Sequence, residues 1–143
     1  MPGVLAVAEA KKHFSELIRE SSEALKCFRV GNALRRDAPR SLILGELAVQ
    51  ALLDGLQCHP QWEKDKKQGL WTVVVPELDV FGQGETKEAA VRELLEAAVE
   101  MAAVYTQDVA FYFKVDRRHQ YPYVMAVLLS ADDPDRLRQF LGV

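Results

Sequence analysis

Apolar residues in the first third of the chain recur at steps of three, four and seven. Val7, Ala10, Phe14, Leu17, Ile18 and Leu25 share one side of "AEAKKHFSELIRESSEAL", and Lys11, Lys12, Glu16, Arg19 and Glu20 lie mostly on the other. That is the spacing of an amphipathic helix. A short apolar run over residues 4–7 precedes it and reads as a strand. "KCFRV" is β-prone and ends at the turn pair Gly31-Asn32. "ALRRDAPR" is polar, basic and proline-containing, so it reads as a loop, and "SLIL" as another short strand. "GELAVQALLDGL" then places Leu47, Leu52, Leu53 and Leu56 at helical spacing, with Gly55 and Pro60 near its end. The predicted order is β-α-β-β-α.

"QCHPQWEKDKKQG" breaks the pattern with Pro, Gly and a charge run, and the domain boundary is placed there, giving domains 1–57 and 58–143. "QWEKD" reads as a strand turning at "KKQG" into "LWTVVVPEL". In that second strand Val73 and Val75 point one way, Thr72 and Val74 the other, and Pro76 ends the run. After a sharp turn and a further short strand, Thr86 caps a long helix, "KEAAVRELLEAAVEMAAVY". Its stripe is Val91, Leu94, Leu95, Ala98, Ala102 and Tyr105. "FYFKV" and "YPYVMAVLLSA" read as two strands around the basic turn "DRRHQ". Asp132 or Asp133 caps a final helix with Pro134 near its first position. The predicted order here is β-β-β-α-β-β-α, and the fold class is α+β with two small domains.

The chain is 49% hydrophobic and 27% charged, which predicts a packed core rather than disorder. No apolar run approaches the roughly 18 to 20 residues that cross a bilayer. The first residues carry no basic leader, and Cys27 and Cys58 form no disulfide framework, so a reducing cytoplasm and no membrane are expected. The net charge of −3 hides an asymmetry: residues 1–57 hold eight basic and seven acidic side chains, and the remainder holds ten and fourteen. The front is therefore +1 and the back −4. A neutral-to-basic segment can approach phosphate, and an acidic one repels it.

Two stretches resemble known families. Residues 4–56, with "AVAEAKKHFSELI", two short strands and a Leu-rich helix, resemble the Phd/YefM antitoxins. That resemblance implies a homodimer that binds operator DNA and neutralises a toxin through its C-terminal part. "GLWTVVVPELDVFGQGETKEAAVRELLEAA" resembles the HicB-like antitoxin fold, with Trp71, Pro76, Glu77, Gly84 and Thr86 on its pattern. It implies an antiparallel sheet packed under one long helix, with Gly82 and Gly84 permitting tight geometry. Two departures stand out. Phd/YefM hairpins usually turn tightly with a Gly near a basic pair, whereas here residues 31–40 intervene. A DNA-binding domain usually follows a HicB-like fold, whereas here the chain continues as two strands and a short helix, so DNA contacts must come from the front.

The DNA-binding candidates are Lys11, Lys12, Arg35, Arg36 and Arg40. Lys11 aligns with the basic residue after Ala in the Phd/YefM motif. With Lys12 it is expected near the start of the first helix, where amide groups and cations favour a phosphate. The arginines sit in the 31–40 loop and suit a groove or phosphates. The alternative is that both patches are simply solvated. Two thin domains of this size favour dimerisation, and a two-fold dimer would offer paired basic patches to a palindromic site.

Other chemistry is weaker. Cys27, Cys58 and His59 lack the four spaced ligands of a zinc site, and His119 reads as a turn residue. Glu77, Asp79 and Glu85 bear on nuclease chemistry because the HicB-like sheet is partly ribonuclease-H-like, but two-metal catalysis needs several acids on one sheet face. Turn chemistry accounts for them more simply. No Gly-rich phosphate loop, Ser-His-Asp set or Cys-His pair appears. Alternate members of Phe111, Tyr112, Phe113, Tyr121 and Tyr123 would face the core and the rest form an exposed strip. The expectation is a non-enzymatic antitoxin repressor with no cofactor or metal, partnered by operator DNA and a toxin. The alternative is a protein-binding module that dimerises without DNA, and the weakest reading is a nuclease.

Overall fold

A computed structural model of the protein describes residues 4–32, 35 and 38–143. The chain divides into two compact units, the first ending at Asp54 and the second running Gly55–Val143. Among the described residues there are two three-stranded sheets and seven α-helices, and no helix is long and apolar enough to cross a membrane.

In the first unit β1 (Val4–Ala6) runs parallel to β2 (Phe28–Gly31), and β2 pairs antiparallel with β3 (Arg40–Ile43), in the order β1-β2-β3. A parallel pair needs a crossover connection, and a helical one supplies it. The sequence predicts one helix there, but two are present. α1 (Val7–Lys12) and α2 (Phe14–Glu23) meet at His13, whose backbone (φ −113°, ψ 24°) leaves the helical region. α3 (Glu46–Leu53) follows β3, and Gly45 before it is obligatory because a β-carbon there would run into the Ser21 carbonyl.

The apolar stripe is present, but its own unit does not cover it. Ala10 and Leu17 are buried, while Phe14 is 56% and Leu52 74% exposed, and Val7, Ile18, Leu42 and Leu47 are also exposed. α3 buries no residue.

The second unit is an antiparallel meander of β4 (Gln61–Lys64), β5 (Trp71–Val75) and β6 (Val80–Gly84). Asp65 Oδ1 accepts the backbone N–H of Lys67 at 2.7 Å and of Gln68 at 3.2 Å, and Gly69 takes φ +69°, which together turn β4 into β5. Past Pro76, the turn closes through Leu78 N–H to Val75 O at 3.2 Å, and Asp79 takes the left-handed conformation (φ +54°). The turn's strained residue is thus Asp79; Gly82 and Gly84 lie within β6, where the need is close approach of a helix rather than turn geometry.

That helix is α4 (Lys87–Gln107). Thr86 Oγ1 accepts Ala89 N–H at 3.1 Å, satisfying an otherwise orphaned amide. Leu94, Ala98, Ala102 and Tyr105 are buried with Val73, Val75 and Leu78. One sheet face is therefore packed and the other, with Phe81 58% exposed, faces out.

Beyond α4 the two predicted strands are helices: α5 (Val109–Lys114), a single 3-10 turn over Arg118–Gln120, and α6 (Tyr121–Ser130), before α7 (Pro134–Leu141). Aromatic and β-branched content made "FYFKV" look extended, but Asp108 accepts Phe111 N–H at 3.1 Å and starts a helix. In "YPYVMAVLLS", Pro122 lies in the first helical turn, where its missing N–H is harmless, whereas in a central strand it would remove a ladder bond. An apolar run of that length has no periodicity of its own, so packing against α4 decides. Val124, Val127, Leu137 and Leu141 complete the core. Asp133, rather than Asp132, caps α7 through Arg136 N–H at 3.2 Å.

Candidate nucleic-acid and partner interfaces

Lys11 and Lys12 occupy the last turn of α1, not the start of a helix. β1 takes residues 4–6 and the break at His13 ends a six-residue helix just beyond them. The carbonyl end of a helix favours cations rather than phosphate, so these lysines have no help from helix amides. Lys11 lines a groove of about 460 Å³ with Val7, Ala10, Phe14, Val30 and Ser41. Arg40 begins β3 opposite Gly31, next to Ser41, and Arg35 is exposed. Arg36 lies outside the described residues.

The acids of the helix pair line a different groove, with Val4, Leu5 and Phe28. There His13 sits 3.8 Å from Glu9 and 3.7 Å from Glu16. Lys26 Nζ donates to Glu20 at 2.7 Å, and that bond holds the Glu20 carboxyl below its ordinary value. Lys11 therefore shares its groove with apolar side chains and Ser41, apart from these acids.

In the second unit two of the three acids considered for metal chemistry, Glu77 and Asp79, have other partners. Glu77 Oε1 accepts both the N–H of His59 and its ring Nδ1, each at 2.7 Å. Arg117 donates to Asp79 at 3.3 and 3.4 Å. Among the described residues no group of three or more His, Cys, Asp or Glu is placed to hold a metal ion. Cys58 is buried, and burial, with the Glu77 charge added, pushes its thiol up to about 12. A thiol so raised is a poor nucleophile at neutral pH.

The aromatic strip does not form, because its residues are helical. Tyr105 and Tyr112 stack at 4.4 Å between ring centres, Tyr105 donates to Arg117 O at 2.7 Å, and Phe113 lies under Arg118. Burial pushes the Tyr105 phenol up.

Two features escaped the sequence reading. Lys87 Nζ lies 4.7 Å from the Trp71 ring and 5.4 Å from Trp62, and Lys64 Nζ lies 5.1 Å from Trp71, a cation–π cluster at one end of the sheet. The other is an open groove of about 420 Å³ between α4 and the α6–α7 corner, floored by Leu95, Val99, Ala103, Ala131, Pro134 and Leu137 and edged by Glu96 and Glu100. The two glutamates are four apart in the sequence, a visible signal. The opposite wall was invisible while α6 was read as a strand.

Over residues 1–141 the chain matches the family described as PHD_like, the antitoxin of toxin-antitoxin, RelE / RelB, TA system. A crystal structure from Syntrophomonas wolfei subsp. wolfei, described as the antitoxin part of a candidate toxin/antitoxin system, shares the fold. It superposes with a TM-score of 0.78 at 24% identity, covering 97% of this chain and 96% of that one. No curated protein matches the chain.

Proposed function

Because the chain belongs to the PHD-like antitoxin family of RelE/RelB-type toxin–antitoxin systems, we propose that it is an antitoxin repressor. Its first unit pairs with a second copy and binds operator DNA through Lys11, Lys12, Arg35, Arg36 and Arg40. Its second unit, a HicB-like sheet under one long helix, holds the toxin. The observation that carries this reading is the groove in which Lys11 sits beside exposed Phe14 and Val7. Apolar side chains that their own unit leaves in water are the kind that a second copy covers. Cations on the same elements would then be doubled by the two-fold axis, as half-site recognition requires.

A second reading, a protein-binding module that dimerises without touching DNA, is favoured by Lys11 and Lys12 lying at the carbonyl end of α1. A gel shift with the DNA upstream of the chain's own gene, run from low to physiological salt, separates the two. The repressor reading expects affinity that falls steeply with salt, and Lys11→Glu with Lys12→Glu lowering the logarithmic salt slope by about two. No detectable shift at low salt leaves the second reading.

A further inference from the structure

Between α4 and the α6–α7 corner the second unit leaves an apolar trough edged with acid on its α4 side. Leu137 in its floor is 2% exposed, and Leu95 and Val99 are half-buried, so the floor is continuous with the core rather than a set of stray side chains. One bank is Glu96 and Glu100, exposed on successive turns of α4. Like charges at that spacing work against the helix that carries them. The opposite wall is the α6–α7 corner, whose Ala131 and Pro134 line the trough, while Asp133 caps α7. Arg138, the basic residue in the last turn of α7, is paired with Glu88 at 3.0 and 3.3 Å. Among the described residues neither Glu96 nor Glu100 has a basic partner.

We propose that this trough is where the toxin docks, through a cationic amphipathic segment whose apolar side chains enter the floor and whose Lys or Arg residues meet Glu96 and Glu100. The inference rests on the antitoxin reading above and names the surface and partner chemistry it needs. Charge decides the occupant. A second copy would bring the same two carboxylates across a two-fold axis, opposing like with like. A nucleic acid would bring phosphates to an acidic face. A basic protein segment satisfies both the floor and the glutamate edge, and steering by the acidic second unit would hasten the encounter.

The test uses the full chain and its cognate RelE-type toxin, catalytically inactivated and purified, with affinity measured by calorimetry at two salt concentrations. Three variants are compared with wild type: Glu96→Lys with Glu100→Lys, both on exposed positions; Val99→Lys in the floor; and Glu63→Lys on β4 as a distant charge control. The double reversal is expected to weaken binding at least tenfold and to flatten its salt dependence, with Val99→Lys weakening it comparably and Glu63→Lys staying within about twofold. Thermal melts matching wild type show that the double reversal folds, so its result stands even if Val99→Lys does not fold. If wild type binds the toxin and the double reversal binds it equally well, the trough is not the docking site and the antitoxin reading survives. If wild type neither binds the toxin nor rescues cells expressing its active form, the antitoxin reading fails and the trough loses its occupant with it.

Discussion

Gly82 on β6 lies directly beneath the backbone carbonyl of Ala90 on α4, and a β-carbon at that glycine would overlap the carbonyl oxygen and come within 2.9 Å of Leu94 Cα. Both obstacles are backbone, so no side-chain rotation relieves them. Helix and sheet approach this closely only because one residue has no side chain. Gly82→Ala should therefore push α4 off the sheet and cost about 2 to 3 kcal/mol or more. Thermal unfolding should show a midpoint lower by on the order of ten degrees. An unchanged midpoint would mean that α4 does not pack where it is placed.

Thr86 is the next handle on the same helix. Its hydroxyl is the side-chain acceptor at the α4 N-terminus, taking Ala89 N–H at 3.1 Å. Thr86→Ala should destabilise by about 1 kcal/mol, and Thr86→Ser should recover most of it. Chemical denaturation of the three proteins gives the ordering, and equal stability of Ala and Ser variants would remove the cap from the account.

The two cysteines should behave differently. Cys27 is half-buried and Cys58 buried, so iodoacetamide at pH 8 should label Cys27 in the folded protein and Cys58 only after unfolding. The Cys58 thiol is raised from 9.0 to about 12 in the fold. The fold thus prefers the neutral thiol, and the unfolded chain loses the proton first. The stability this contributes is intact below about pH 9 and is lost as pH rises toward about 12. Tyr105 is also raised, so the comparison that isolates the thiol is wild type against Cys58→Ala, whose stability should fall less across that window.

Phe14 tests the dimer. It is 56% exposed within its own unit, so Phe14→Glu should cost the unit itself little, yet should break a contact between copies. Sedimentation equilibrium should report a dimer for wild type and a monomer for the variant. The same variant should lose operator binding more completely than any single lysine change, because half-sites read one at a time lose the gain from linkage. Wild type sedimenting as a monomer at micromolar concentration counts against the repressor model.

What could be read ahead of the structure followed from local chemistry. The strand pair ending at Pro76, the cap at Thr86, the α4 stripe and a cap at Asp132 or Asp133 with Pro134 in the first turn depend on short spacings and on residues with one dominant physical use. The misreadings share a cause. "FYFKV" and "YPYVMAVLLS" are apolar without period, and such runs take the form that their surroundings allow. The stripe runs unbroken through His13 and so predicts Lys11 and Lys12 near a helix start, yet the backbone breaks there. Of the DNA candidates among the described residues, Lys11 alone lines the apolar groove, and nothing in the sequence indicates a groove there.

The linear order of residues determined the class of the protein: two α+β units, the front near neutral and the back acidic, built around one strongly helical segment. These are properties of composition and of neighbours within a few positions, where propensity, capping and charge act. Tertiary structure alone decided that α6 is a helix set against α4, that Gly82 admits α4 to the sheet, and that acids on α4 and apolar residues of a corner some thirty residues later line one trough. Those outcomes depend on which surfaces meet in space, and periodicity along a chain holds no record of the partner a surface will find.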